Sequence, residues 1–508
     1  MEVTWLEDLV RQATDFFINN FVLNAVVVIL VLVFLFSTRR GKNGKLPPGP
    51  FGLPLVGYVP FLTGNLHFDF VKLGKKYGDV FSLKLGMETV IVLNGMNVIK
   101  EAFSKAEFLG RPPHSFFSWI TKHSPFFALG VPVWREQRRF FLHTMRDLGL
   151  GKSSVENEIE SEIRHFLDVL RSHKGSPIDP IEPLSPSMSN NICALVFGKR
   201  YEYGHPDRQM LDSGLEDLVA SNSQAAMPTF YPWIRHVPFI KKILGLGKAM
   251  AAGERICSFF RHEIEKRMKT FDTNVVRDFI DGYLHQMEDK KDDPTSSFNI
   301  DILVDTVLDL FAAGSETVRT TIQWCIYITA AYPEVQKRVQ KELNDVLGRD
   351  RRPEFQDLRR LPYTNAVILE VMRWRTVVPI NIMRYTVADT SVGGYHIPKN
   401  QIVMANFWAV HNDPSLWKDP ETFKPERFLS ADGKSVVKSG NLIPFSVGKR
   451  SCPGEAMANM EVFLYFSHIL NEFEIAFPDG YKPTFDATLT ATYKLNPYKV
   501  KFNERKWE

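Results

Sequence analysis

The sequence predicts a mainly α-helical fold with small β-sheets and an N-terminal transmembrane anchor. Three observations predict it. The stretch Asp293–Pro333 has no proline between Pro294 and Pro333 and is apolar on nearly every face. That pattern expects a buried helix of roughly 30 residues, about 45 Å long at 1.5 Å per residue. Strand-like runs such as "VFSLKLG" and "TVIVLNG" are few, short and early. A third apolar run lies at residues 21–38, close to the start of the chain.

That first element is justified by length and flanks. Phe21 to Phe36 is apolar apart from Asn24, and with Phe16, Phe17 and Ile18 it reaches the ~20 residues a helix needs to cross a bilayer. A core helix or a cleaved signal peptide are the alternatives. Glu2, Glu7, Asp8 and Asp15 stand against Arg11 ahead of the run, the reverse of a basic signal region, and no small-residue cleavage site follows. Arg39, Arg40, Lys42 and Lys45 come next, and this positive excess places the remainder on the cytoplasmic side. "LPPGP", Leu46 to Pro50, then makes a stiff, non-helical stop. The expected division is a lumenal segment at 1–20, an anchor at 21–38, a basic and Pro-rich hinge at 39–50 and one large domain at 51–508. Within it, "PEVQKRVQKELNDVLG", "LPYTNAVILEVMRWRT" and "MANMEVFLYFSHIL" read as further helices.

Composition narrows the function. The chain has 508 residues, 44% hydrophobic and 24% charged, enough for a large core, and no Gly-, Ser- or Pro-rich linker divides it after residue 50. A formal charge of +4 without a basic stripe excludes nucleic acid as an expected partner. Four cysteines make no disulfide framework, and no Asn-x-Ser/Thr acceptor occurs, so a reducing, cytosol-facing location is expected.

The cysteines separate by their surroundings. Cys193, Cys257 and Cys325 sit among apolar neighbours, as small buried hydrophobes do. Cys452 lies in "FSVGKRSCPGEA". Gly448, Pro453 and Gly454 interrupt any helix and let the backbone approach a planar ligand, while Arg450 and the following helix N-terminus would favour a thiolate. No second cysteine at metal-ligand spacing and no HExxH is present, which disfavours zinc and iron–sulfur centres and leaves a single axial thiolate on haem iron.

On these residues the chain resembles the cytochrome P-450 superfamily. Phe445, Gly448, Arg450, Cys452 and Gly454 match the F-x-x-G-x-R-x-C-x-G signature, and "PFSVGKRSCPGE" is most similar to the microsomal family-2 group of animals. "WREQRR", "AGSET", "EVMR" and "FKPERF" follow the family's order, so the resemblance covers essentially the whole chain. It implies the P-450 fold, with haem between the long central helix and the loop of Cys452, the iron's axial ligand. It also implies that Arg111, Trp134, Arg138, Arg384 and Arg450 bind the haem propionates, a task suited to arginine.

The resemblance assigns further roles. Glu370, Arg373 and Arg427 would form a buried network supporting the haem loop. Ala313 and Gly314 would leave room beside the macrocycle, and Glu316 and Thr317 would deliver protons during oxygen activation; the alternative for Thr317 is a bond back to its own helix. Phe116, Phe117, Ile120, Phe311, Val378, Ile380 and Ile382 match regions lining the substrate pocket.

No G-x-G-x-x-G lies between a strand and a helix, so the chain lacks a dinucleotide fingerprint and electrons from NADPH must come through a separate protein. The resemblance implies a membrane-bound flavoprotein reductase meeting Arg135, Arg139 and Lys449, with cytochrome b5 as a further partner. It also implies that Ala226–Gly247 dips into the bilayer near the substrate entrance. The expected activity is oxygen insertion into a lipophilic molecule such as a steroid, terpenoid, fatty acid or xenobiotic, at the endoplasmic reticulum membrane with the catalytic domain cytoplasmic. A haem-thiolate isomerase or dehydratase and a non-enzymatic haem sensor are the competing readings, and the Glu316–Thr317 pair argues against the former.

Overall fold

The side chain of Asn299 accepts the Ile302 N–H at 3.0 Å and starts a helix, Ile300–Ala331, that runs for 32 residues. Tyr332 leaves helical geometry, and Pro333, which has no N–H to give, opens the next helix, Pro333–Leu347. Residues 302–309 and 318–330 are buried on every face, so this is the central helix of the core. The computed structural model describes residues 20, 23–28, 31, 46–149, 153–220, 227–348 and 351–506.

Around the central helix pack Ile181–Phe197, Leu246–Met268, Pro362–Trp374 and Glu455–Glu472. Gly314 accounts for the closest approach: a Cβ there would lie 2.5 Å from Ile192 Cδ1 on the neighbouring helix. The room that Gly314 provides is thus filled by helix packing. Pro362–Trp374 has proline in its first turn, and its free Tyr363 and Thr364 amides donate to the Glu342 carboxylate at 2.7 and 2.8 Å.

The largest sheet has four strands. Val80–Leu85 and Glu88–Leu93 form an antiparallel hairpin, Val80 opposite Leu93. Glu88–Leu93 also pairs in parallel with Ile402–Ala405, whose far edge carries Arg384–Tyr385 with Arg384 opposite Val403. This mainly helical architecture with small sheets is the fold class the sequence predicts. The expected anchor lies mostly outside the described residues, of which 23–28 and 31 fall within 21–38 and are helical. Among the described residues no helix is long and apolar enough to cross a membrane.

One face of the folded body is apolar and open. Phe51, Leu53, Leu55, Val56, Phe61, Met87, Trp233, Phe239 and Ile243 are exposed. They belong together, because Gly57 pairs with Leu85 and the Met87 amide donates to Phe230 O at 3.1 Å. The hairpin turn therefore joins the segment after the hinge to the stretch around residues 227–243.

Candidate active site

The loop of Cys452 is built by three backbone bonds: Ser446 N to Ile443 O at 3.0 Å, Ser451 N to Gly448 O at 3.0 Å and Cys452 N to Phe445 O at 2.9 Å. Gly448 has φ +77°, and a Cβ there would stand 2.1 Å from Phe103 O, so only glycine fits. Gly454 precedes the helix Glu455–Glu472, and a Cβ on it would sit 3.9 Å from Cys452 Sγ. Phe445 is half-buried and packs on the core beneath. Cys193 and Cys325 are buried and Cys257 half-buried, whereas Cys452 is exposed. Although the residue is exposed, neighbouring protein atoms desolvate its sulfur, the largest influence on it, and raise its pKa. The Gly454 amide and Arg138 pull the other way. The cation acting on the thiol is Arg138, not the Arg450 expected from its proximity in sequence.

Arg450 instead lies over the Trp134 ring at 3.9 Å and donates to Leu109 O and Phe126 O at 3.1 and 3.2 Å. Arg111 donates to Phe126 O, Ile382 O and Met383 O at 3.1, 2.8 and 2.7 Å. Arg384, held on its short strand, lies over Phe103 at 4.4 Å and reaches Arg450 O at 3.4 Å. Arg138 stands one turn after Trp134 on the helix Val131–Asp147. Burial, then repulsion from Arg111, Arg384 and Arg138, pushes the Arg450 guanidinium down to about 7. Burial and repulsion from Arg111 and Arg138 likewise lower Arg384. A guanidinium keeps its proton in proteins. Four of them gathered in a poorly solvated place therefore call for anions.

Asp309 is the carboxyl that acts on this cluster, through Arg111, but burial raises its own pKa, and it accepts from Ser124. Ser124 Oγ in turn accepts the Phe126 and Phe127 amides at 3.2 and 2.9 Å, which fixes the carbonyl shared by Arg111 and Arg450. Among the described residues, Arg450 Nη2 and Trp134 Nε1 are buried without a hydrogen-bond partner. These unused donors, the unbalanced guanidiniums and the accessible thiol fit a planar cofactor that carries two carboxylates and takes one sulfur ligand. Haem is such a group.

The middle of the central helix carries the other residues that the sequence singles out for the site. Ala313 is exposed and Ala312, Gly314 and Thr317 are half-buried, in a helix otherwise enclosed. Thr317 Oγ1 donates to Ala313 O at 2.8 Å. Glu316 is buried and paired with Arg319, which also donates to Ser185 Oγ at 2.7 Å, and it accepts from Thr492 Oγ1 at 3.1 Å. The sequence reading missed Arg319, although its i, i+3 spacing from Glu316 is visible. It also missed Ser185 and Thr492, which no local pattern marks.

Glu370 and Arg373 are fully buried and joined by two 2.7 Å bonds. Arg427 Nε donates to Glu370 Oε1 at 3.2 Å and its other nitrogens reach the Lys418, Asp419 and Thr422 carbonyls. The structure thus brings these three together. The expected pocket residues separate. Phe116 lies in the core beside the sheet, and Phe311 packs on Phe260 at 5.5 Å. Phe117 stacks on Phe127 at 4.9 Å. Ile120, Val378 and Ile380 are half-buried, and Ile382 is exposed. Arg135 and Arg139 turn outward and, with His143 and Lys290, line a groove of about 690 Å³.

The cytochrome P450 family model matches residues 47–502. Cytochrome P450 2J2 of Homo sapiens is 36% identical over 471 residues, which cover 91% of this chain and 92% of that protein. Cytochrome P450 2A9 of Mesocricetus auratus is 36% identical over 466 residues, covering 91% and 94%. Cytochrome P450 18a1 of Drosophila melanogaster is 33% identical over 495 residues, covering 95% and 91%. With the fold, the arginine cluster and the accessible cysteine, these similarities mean that the chain belongs to the cytochrome P450 family and is a haem monooxygenase that receives its electrons from a redox partner.

Proposed function

We propose that this protein oxidises a lipophilic small molecule, with Cys452 as the axial sulfur ligand of haem and with electrons from NADPH through a separate flavoprotein reductase. The observation carrying the reading is the cluster of Arg384 and Arg450, buried, with Arg111 and Arg138, half-buried, gathered beside a Trp134 N–H without a hydrogen-bond partner and near an accessible thiol. These five donors would hold the two propionates, bidentate contacts compensating the charge that burial and repulsion now oppose. Haem, once bound, supplies the oxygen and one-electron chemistry. Gly448 sets the turn that presents Cys452, Phe445 anchors that turn in the core, and Ala313 leaves the central helix open. Thr317 carries the movable hydrogen: released from Ala313 O by rotation about its C–O bond, at a net cost of about 1 kcal/mol, it can be offered to an acceptor bound beside the helix. Glu316 is held at both oxygens and fixes the local charge, so a proton reaches Thr317 through water or after the Arg319 pair opens. The apolar matches at Phe117, Ile120, Val378, Ile380 and Ile382 support a lipophilic substrate.

The open apolar face, continuous with the Pro-rich hinge, supports a bilayer-seated body behind the 21–38 anchor, at the endoplasmic reticulum with its catalytic domain cytoplasmic. Arg135, Arg139 and Lys449 are exposed and would meet the reductase, and cytochrome b5 would share that surface. In the deciding experiment, Cys452→Ser should lose the thiolate-type absorption of the reduced carbon monoxide complex, since serine is a poor iron ligand at neutral pH. An unchanged spectrum removes the ligand assignment. Turnover without reductase would remove the redox partner, and a chain starting at residue 46 that no longer floats with vesicles would remove the apolar face as a membrane contact.

A further inference from the structure

His411 is fully buried, at the end of the short helix Phe407–His411, and is bonded both to the Glu370–Arg373 pair and to the start of the Cys452 loop. Its carbonyl accepts from Arg373 Nη1 at 2.8 Å, on the Glu370–Arg373 side. Its Nε2 accepts the Ile443 amide at 2.9 Å, at the beginning of the Cys452 loop. Its Nδ1 stands 2.7 Å from Thr376 Oγ1.

The donors and acceptors admit one tautomer. The Thr376 hydroxyl spends its only hydrogen on Arg373 O at 3.0 Å, so Oγ1 must accept from Nδ1–H. Nε2, which accepts an amide, must be bare. Both ends of the ring therefore require the same neutral imidazole. Burial first, and Arg373 second, push its pKa down to about 3, so it keeps this form at any working pH. Ile443 is then held on both sides, its N–H by His411 and its carbonyl by the Ser446 amide at 3.0 Å. From there Phe445 O receives the Cys452 N–H at 2.9 Å.

We propose that His411 is a positioning residue that ties the Glu370–Arg373 pair to the Cys452 loop and so sets where the sulfur stands. The inference rests on Cys452 being the iron ligand. The bond that matters is Ile443 N–H to Nε2, because it crosses from the buried ion pair to the loop. Thr376 acts one step behind by fixing the tautomer and the ring plane.

The test compares His411→Gln, whose carboxamide oxygen reaches about as far as Nε2, with His411→Asn, whose shorter side chain cannot, and with His411→Phe, which keeps volume alone. Two quantities are read on the holoprotein. One is hydrogen exchange over residues 443–452, which does not depend on what Cys452 binds. The other is the fraction of the reduced carbon monoxide complex with thiolate-type absorption. Loss of the bond should speed exchange by about tenfold in the Asn and Phe variants and lower the thiolate-type fraction, with Gln restoring both. Thr376→Val should fall between. Equal behaviour of Gln and Asn, or unchanged exchange in either Asn or Phe, overturns the proposal; if the Phe variant yields no holoprotein, the Gln–Asn comparison decides alone. Exchange that responds as expected while Cys452→Ser keeps its spectrum would instead locate the failure in the ligand assignment.

Discussion

Glu316 and Arg319 stand one turn apart on the central helix and form an ion pair in which both side chains are buried. The acid next to Thr317 is thus neutralised inside the protein, and Thr492 and Ser185 tie the pair to two other parts of the chain. Removing one partner leaves an uncompensated charge in the core, which costs about 3–5 kcal/mol. Arg319→Met and Glu316→Gln should each lower holoprotein stability by that order, while the double variant recovers much of the loss. Thermal unfolding of the four proteins forms the cycle. Additive losses would mean that the two side chains do not act as a pair.

Thr317 donates to Ala313 O in the resting arrangement, the bond back to the helix that a purely structural threonine would make. Thr317→Ala should cost at most about 1–2 kcal/mol of stability. If the hydroxyl also delivers protons, NADPH consumption continues in the variant while hydroxylated product falls severalfold and hydrogen peroxide rises. Product, peroxide and NADPH counted together in a system reconstituted with reductase separate the two roles. Full coupling would move proton delivery to Glu316 or to water.

Gly448→Ala puts a methyl group 2.1 Å from Phe103 O at φ +77°, where an L-residue is strained and the obstacle is backbone. A loss of at least about 2 kcal/mol is expected. Haem content after purification should fall with it, because the displaced turn carries Cys452. Wild-type stability and haem content would show that the turn has slack that the packing does not reveal.

Stability should peak near neutral pH. His67, His411 and His468 are buried and neutral, pushed down to about 4, 3 and 4 by desolvation, so the unfolded chain binds three protons that the folded one refuses as pH falls below 6.5. Glu461 works in the opposite sense. Burial raises it to about 8, so the folded chain keeps a proton that the unfolded one has released, and that contribution fades as pH rises towards 8. Near pH 5.5 these four groups leave the unfolded state ahead by nearly two protons, a fall of about 2 kcal/mol per pH unit of acidification. Denaturant midpoints from pH 5 to 9 measure it. A flat profile below pH 6.5 would mean that the three histidines find proton partners in the folded state.

Much of the site was legible because its chemistry is written in short, continuous strings. A cysteine flanked by glycines, and an acid and an alcohol inside an apolar helix, are unusual enough locally to be noticed without neighbours. The same holds for Glu370 and Arg373, whose i, i+3 spacing makes them face each other on any helix. Reading stopped where a residue has two explanations of equal local merit. Gly314 looks like space for a cofactor, yet Ile192 of another helix lies against it. Phe311 looks like a pocket wall and packs on Phe260.

By itself the sequence determined the helical class, the long central helix between Asn299 and Pro333 and the family, and it nominated the residues proposed to hold a haem. These follow from periodicity, from proline and glycine placement and from motifs, all properties of neighbours along the chain. Only the tertiary structure decided which polar groups meet. Glu316 takes Thr492 from 176 positions away, Arg319 takes Ser185 from 134 and Ile443 takes the ring of His411 from 32. It also turned Arg450 onto Trp134 and left Arg138 to act on Cys452. A buried donor must find an acceptor wherever packing brings one, and packing between remote segments leaves no period in the sequence.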